Sequence, residues 1–316
     1  MQRILITGGA GFIGSHLTEA LLGEGHEVIC LDNFNSYYDP RIKRRNIEAL
    51  RANRQFTLIE GDILDWELLR QIFEQKKIAI VVHLAARAGV RPSIKEPQLY
   101  QQVNVLGTTN LLELARDFRI KKFIFGSSSS IYGENKKVPF SEDDPVDHPI
   151  SPYAATKKAG ELLCYTYHHL YKIPVTCLRF FTVYGPRQRP DMAIHKFTRS
   201  IFSGEKISMF GEGNTRRDYT YISDIIDGIC KSLKFCSGYH IYNLGESKTI
   251  ELRQLIDLIA RYAGKEPIIE MHPIQPGDVP ITYADISKAK EEIGYQPEVG
   301  IEEGIERFVK WYKETA

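Results

Sequence analysis

Charge of neither sign dominates this chain. Its 41 lysines and arginines are offset by 40 aspartates and glutamates, a formal net charge of +1 at pH 7. No bulk field therefore draws in nucleic acid or an anionic membrane, and any anion site has to be built locally. Cysteine is sparse as well. Cys30, Cys164, Cys177, Cys230 and Cys236 are odd in number, scattered and without Cys-x-x-Cys spacing, which offers no metal or redox pair and leaves buried or free thiols. No apolar run approaches membrane-spanning length, and Met1-Gln2-Arg3 leads straight into an apolar strand. No signal peptide and no membrane partner are expected, and the cytoplasm is the expected compartment. Internal repeats, low-complexity tracts and flexible linkers are also missing. What is there, 316 residues with 43% hydrophobic content, is enough for a sizeable core in one large domain or two modest ones.

The chain opens on Ile4-Leu5-Ile6-Thr7, a short β-rich run, followed by Gly8-Gly9-Ala10-Gly11-Phe12-Ile13-Gly14 and a helical pattern from Ser15 through Leu22. In such a strand, turn and helix, Gly8, Gly11 and Gly14 let the backbone turn tightly and approach a pyrophosphate, while the free amides at the helix start attract its charge. A second strand ends at Asp32, eighteen residues past Gly14, where a carboxylate accepts bonds from an adenosine ribose and repels a 2′-phosphate. That favours NAD over NADP. Lys43, Arg44 and Arg45 follow nearby in sequence and read as a solvated charged helix.

A third strand closes on Gly61-Asp62-Ile63, a fourth on Leu84-Ala85-Ala86 and a fifth on Gly126-Ser127, with helical patterns at Trp66 to Gln75 and Val103 to Phe118. Alternating strands and helices predict an α/β fold with a Rossmann-type doubly wound parallel sheet. Ligands of such sheets bind outside the carboxyl ends of the strands, where Gly8, Asp32, Asp62, Ala85 and Ser127 all fall. A mixed pattern after residue 178 predicts a smaller α/β C-terminal substrate lobe. The expected division is 1–178 for cofactor binding, including the Tyr153 and Lys157 helix, and 179–316 mainly for substrate, interleaved with the first.

Tyr153-Ala154-Ala155-Thr156-Lys157 sits beyond a cluster of four serines, Ser127 to Ser130. On a helix, positions i and i+4 share a face, so phenol and ammonium can point into one cleft. A fixed positive charge beside a tyrosine favours phenolate, which makes Tyr153 a candidate base for taking a proton from an alcohol.

These motifs together resemble the extended short-chain dehydrogenases/reductases of the nucleotide-sugar epimerase and dehydratase group: Gly8 to Gly14, Asp62-Ile63, His83 to Ala86, Asn104 to Gly107, the serines before Ile131-Tyr132-Gly133, and Tyr153 to Lys157. The resemblance implies bound NAD, held by Gly8, Gly11, Phe12, Ile13, Gly14, Asp32, Asn33, Asp62, Ile63, Leu84, Ala85, Ala86, Tyr153 and Lys157. It implies Ser128, Tyr153 and Lys157 as the catalytic trio, Ser128 because it lies four residues before Tyr132. It further implies a nucleoside diphosphate in the C-terminal part, with Arg217 on the pyrophosphate and Asp278 on the ribose. Some relatives carry arginine just before Pro-Gly-Asp; this chain has Gln275. Helices of this family commonly pair into a four-helix bundle, and Leu162, Leu163, Tyr167 and Leu170 add to the expectation of a homodimer.

A base and a serine hydroxyl beside NAD suit oxidation of a sugar 4-hydroxyl to a 4-keto sugar that is reduced again on its other face. Related 4,6-dehydratases carry Asp-Glu after the catalytic threonine or serine, and related decarboxylases carry glutamate at the position of Ser130. Here Ser129-Ser130 stands instead, so a 4-epimerase is expected and no metal. Ala88 to Ser93, which includes Arg91, and Pro186 to Met192 resemble the UDP-glucuronate 4-epimerases. Ser129, Ser130, Thr182 and Arg189 are then expected at the substrate carboxylate. UDP-glucose or a UDP-N-acetylhexosamine is the alternative substrate, and a non-catalytic NAD sensor the alternative of another class.

Overall fold

A computed structural model describes residues 1–273 and 279–315. Six strands come first: β1 (Arg3–Thr7), β2 (Glu27–Asp32), β3 (Phe56–Glu60), β4 (Ile80–His83), β5 (Lys122–Ser128) and β6 (Val175–Phe180). They are followed by β7 (Thr182–Tyr184), β8 (Lys206–Phe210), β9 (Arg216–Arg217), β10 (Tyr219–Tyr221), β11 (Tyr239–Leu244), β12 (Ile250–Glu251) and β13 (Ile268–His272). The first six and β11 form one sheet in the order β11-β6-β5-β4-β1-β2-β3, parallel throughout. The strand runs Leu5, Val28 to Leu31 and Val81-Val82 are buried and nearly unbroken in apolar character, as a parallel sheet covered on both faces requires.

The helices are α1 (Phe12–Gly23), α2 (Pro40–Ile47), α3 (Trp66–Lys76), α4 (Val90–Lys95), α5 (Pro97–Tyr100), α6 (Gly107–Asp117), α7 (Pro152–Tyr171), α8 (Ala193–Ser203), α9 (Ile222–Phe235), α10 (Leu252–Ala263), α11 (Ser287–Ile293) and α12 (Ile301–Thr315). The apolar sides of α1 and α9 share a core with Ile4, Ile6, Val28 and Ile124. Those of α3, α6 and α7 share another with Leu5, Val81, Phe123 and Phe125. The first core runs on without a break into the C-terminal part, through Ile256, Ile259 and Phe308. Short pairs β7 with β10, β9 with β12 and β8 with β13 build that part. Because β11 is the sheet's edge strand and α9 covers its face, residues beyond 178 contribute directly to the sheet.

Two sequence expectations change. The helix expected to start at Val103 starts at Pro97 and passes through a π-helical segment, Gln101–Leu106, before α6. Such a widened turn re-aims side chains, and here it carries Asn104. Lys43, expected in solvent, is 5% exposed, because α2 lies over the end of β2 and turns this side chain toward Asp32.

Candidate active site

β2 pairs on one side of β1 and β4 on the other, so the chain reverses its winding there and leaves a crevice at the strand ends. A cleft of about 390 Å³ opens at that point.

Its first half is built by the turn after β1. Gly8 has φ +70°, and a Cβ there would stand 2.8 Å from the Ala85 nitrogen; at Gly14 a Cβ would stand 2.2 Å from the Gly8 carbonyl oxygen. Both positions exclude any side chain. The α1 N-terminus is capped by Gly11 with no side-chain bond and has no acidic residue in its first turn, so its amides and positive dipole end suit an anion. Asp32, nearly buried at the end of β2, accepts from the backbone N–H of Ala10 at 3.2 Å and of Phe34 at 2.9 Å, with the Lys43 ammonium 3.5 Å away. Asn33 donates to Asp62 across the ends of β2 and β3 at 2.7 Å. Buried His83, held near pKa 3 by burial, is neutral and bridges Thr7 at 2.7 Å and Thr108 at 2.9 Å, bracing β4 where Leu84, Ala85 and Ala86 line the cleft. A cradle that no Cβ can enter, free helix amides and a fixed ribose-side carboxylate fit a dinucleotide.

The second half centres on α7. Pro152 occupies its first turn and the Ser151 hydroxyl accepts from the Ala154 amide at 3.1 Å, which sets where the helix starts and presents Tyr153 to the cleft. Burial pushes the Tyr153 phenol above its ordinary pKa, while a hydrogen bond with Ser128 and the charge of Arg189 pull it down. The Ser128 hydroxyl also accepts from the Ser130 amide at 3.2 Å. Lys157 is anchored at the end of β5. Its ammonium donates to the Gly126 carbonyl at 2.6 Å and lies over the Phe125 ring, and burial lowers its pKa to about 8. It shares the cleft with the phenol, and the charge of Arg189 acts on that phenol as well.

Ser129, Ser130, Phe180, Thr182 and Met192 complete this end. Arg189 is held by Asp191 in a two-pronged contact of 3.0 and 2.9 Å. Its loop is tied down through Gln188, which donates to Val183 at 3.0 Å, and through Arg187, 3.0 Å from Glu19. His16, kept neutral with a pKa near 4 by burial, bonds the Pro186 carbonyl.

Gly8, Gly11, Phe12, Ile13, Gly14, Asp32, Asn33, Asp62, Ile63, Leu84, Ala85, Ala86, Ser128, Ser129, Ser130, Tyr153, Lys157, Thr182 and Arg189 therefore come together on one cleft. Arg91 and Arg217 stand outside its lining: Arg91 is exposed on α4 over the Phe210 ring, and Arg217 donates to the Arg216 carbonyl from β9. Asp278 and Gln275 lie outside the described residues. Sequence reasoning missed Tyr37, Tyr38, Lys43 and Arg87, which also line the cleft. The guanidinium groups of Arg87 and Arg189 both pack on the Tyr37 ring, at 5.1 and 5.3 Å. Arg87 directly follows Ala85-Ala86, so the rule that found the alanines at a strand end reaches it too.

Comparison with known proteins agrees with this geometry. A family model described as GDP-mannose 4,6 dehydratase matches residues 5–308. The UDP-glucuronate 4-epimerase of Thermodesulfobacterium geofontis is 48% identical over 100% of this chain and 97% of its own. The crystal structure of the Bacillus cereus UDP-glucuronic acid 4-epimerase, in complex with UDP-glucuronic acid and NAD, is 38% identical with a TM-score of 0.94, each chain covered in full. The Thermotoga maritima UDP-glucose 4-epimerase with UDP-glucose is 36% identical, TM-score 0.91, over 99% of both chains.

Proposed function

We infer the reaction from the premise that this chain belongs to the GDP-mannose 4,6 dehydratase family of extended short-chain dehydrogenases/reductases. It is an isomerase, an NAD-dependent 4-epimerase of a UDP-sugar, and its substrate is UDP-glucuronate, converted to UDP-galacturonate. One observation carries the choice within the family. Among the described residues that line the cleft, the only carboxylates are Asp32 and Asp62, both at the strand ends on the cofactor side. Dehydration needs acids to move a proton and water at sugar carbons 5 and 6, and the sugar end offers serines and a threonine.

Bound NAD would supply the redox chemistry, a hydride acceptor and donor for carbon 4 of the sugar. Gly8, Gly11, Phe12, Ile13 and Gly14 would hold its pyrophosphate region, Asp32 and Asn33 its adenosine ribose, and Asp62, Ile63, Leu84, Ala85 and Ala86 would form the walls beside it. Tyr153 takes the proton of the 4-hydroxyl and gives it back, Ser128 shares that hydroxyl's hydrogen bond, and Lys157 keeps positive charge behind both. Ser129, Ser130 and Thr182 hold the carboxylate, with Arg189 balancing its charge. In this reading residues 1–178 bind mainly cofactor and 179–316 mainly substrate, with Arg217 and Asp278 on the UDP and Arg91 also on the substrate.

We also propose a homodimer, supported by Leu162 and Leu170, 55% and 59% exposed on α7. Tyr167 turns into the chain's own core and Leu163 packs against it, so the surface rests on fewer residues than the sequence suggests. Among the described residues no helix is long and apolar enough to cross a membrane. Five buried free thiols support a reducing, cytoplasmic setting.

The test is an assay of the purified chain against UDP-glucuronate, UDP-glucose and UDP-N-acetylglucosamine, with epimers separated. UDP-galacturonate formation is the expected result. Turnover of only the neutral sugars removes the substrate assignment, and no turnover of any favours a sensor.

A further inference from the structure

Tyr153, Lys157 and Glu161 follow one another at four-residue spacing on α7 and so share a face. All three meet the end of β5: Tyr153 at Ser128, Lys157 at the Gly126 carbonyl, and Glu161 at the Ser127 hydroxyl, which donates to its carboxylate at 2.7 Å. Glu161 is 1% exposed. Its charge is met by equally buried Arg179 of β6, whose Nε and Nη2 donate to the two carboxylate oxygens at 3.0 and 2.9 Å. The guanidinium reaches further, donating from Nη1 to the Tyr132 hydroxyl at 3.0 Å; that hydroxyl donates in turn to Asn243 of β11 at 2.7 Å.

A buried ion pair is a costly way to hold a helix on a sheet, since apolar side chains of the same volume do so as well or better. Apolar packing, however, leaves the rotation and slide of the helix loosely set. Directional bonds at 2.7 to 3.0 Å fix both. Here they fix them at the residue next to Ser128, behind the phenol and the ammonium, while the same guanidinium grips the turn that follows the serines.

We propose that Glu161 is a positioning residue of the reaction: gripped by Arg179, it fixes Ser127 and thereby holds Ser128, one peptide further on, in hydrogen-bonding register with Tyr153. It touches neither sugar nor cofactor. The inference rests on the 4-epimerase reading given above.

Ser127→Ala, Glu161→Gln and the double variant test it, each assayed for kcat, KM and NAD content after purification. The expected result is a fall of about tenfold in kcat for each single variant, because small misplacements of reacting groups are costly. KM and bound NAD stay unchanged, and the double variant is no slower than the slower single one, because both act through one path. Losses that multiply, or KM and NAD content that move together with kcat, overturn the proposal, as does full activity of Ser127→Ala. Should Glu161→Gln fail to fold, Ser127→Ala alone decides through its split between kcat and KM. A wild-type protein without turnover would sink the parent reading instead; an active wild type with unaffected variants sinks only this one.

Discussion

The ammonium of Lys157 stands 2.6 Å from the carbonyl oxygen of Gly126, so the lysine is seated on the end of β5. Helical spacing puts Tyr153 and Lys157 on one face, but the long lysine stem lets the charge settle where a backbone carbonyl pays part of its desolvation. At Tyr153 a hydrogen bond with Ser128 and the charge of Arg189 oppose the effect of burial. In the proposed reaction, proton transfer by Tyr153 would draw on the serine turn and on the loop carrying Arg189 as well as on α7.

Tyr153→Phe deletes only the base. The ring still packs edge-on against Tyr100, whose centroid is 6.2 Å away, so the helix start and the cofactor cradle keep their shape. Turnover should fall by about 10²–10⁴-fold, the usual scale for losing a positioned acid or base, with NAD content unchanged on denaturation and quantification. A rate near wild type would remove the mechanism.

The sheet, the glycine turn and the serine and tyrosine stretches were legible because each depends on local pattern: strand runs, tight turns and i, i+4 spacing. What was not legible arises from contacts distant in sequence. Lys43 reads as one of three solvated cations until α2 folds over β2 and brings it to Asp32. Asn104 gains its place only through a π segment, from which it bonds both the Arg87 backbone and Thr156. Glu161 is an ordinary helical glutamate until Arg179 arrives from β6. The Tyr37 contacts with Arg87 and Arg189 join three loops that no spacing rule connects.

Asp32 and Lys43 together predict a cofactor switch. The carboxylate repels a 2′-phosphate and also occupies the lysine; Asp32→Ser removes the repulsion and frees a cation beside the ribose position. After incubation with equal NAD and NADP, the nucleotide released from this variant should shift toward NADP by about tenfold or more relative to wild type, the scale of a charge-assisted contact of roughly 1.5–3 kcal/mol. An unchanged ratio would show that Lys43 only supports α2.

Two buried carboxyls predict an unusual pH dependence of stability. Asp218 accepts from the amides of Glu246, Ser247 and Ala284, yet burial raises its pKa to about 6. Glu246, with one carboxylate oxygen lacking a hydrogen-bond partner, is raised to about 7, again chiefly by burial. Folded pKa values above the unfolded ones mean that the folded state binds these protons more tightly. The stability they contribute is present in full below the ordinary carboxyl range and is lost as pH rises through about 6 and 7. Glu246→Gln should therefore raise stability at pH 8 by up to about 3 kcal/mol and flatten its fall between pH 5 and 8, read from denaturant melts. An identical pH slope in the variant would count against the assignment.

Leu162 and Leu170 are two turns apart on one face of α7, and with Leu106, 52% exposed, they leave apolar surface that a second copy can cover. Leu162→Glu should yield a monomer in sedimentation at micromolar concentration where the parent is a dimer. A monomeric parent would end the proposal.

A uronate substrate brings a carboxylate that has to survive oxidation at carbon 4. Oxidation at carbon 4 turns a uronate into a β-keto acid, which loses carbon dioxide readily when the breaking bond stands perpendicular to the ketone plane. A 4-epimerase of this substrate has to hold the carboxylate near that plane until carbon 4 is reduced again. Ser129, Ser130 and Thr182 offer short hydroxyls on the cleft wall, and their backbones are fixed: the Ser130 amide donates to Ser128 at 3.2 Å and the Thr182 amide to the Asp218 carbonyl at 3.1 Å. Such hydroxyls orient a carboxylate without delivering a proton to carbon 5, which a glutamate at Ser130 would do. Ser130→Ala and Thr182→Ala should therefore raise the proportion of UDP-pentose relative to UDP-galacturonate. Each lost bond is worth about 1 kcal/mol, which sets a change of a few-fold in the partition. Variants that slow epimerisation and release no decarboxylated product would show that these hydroxyls place the sugar and do not guard its carboxylate.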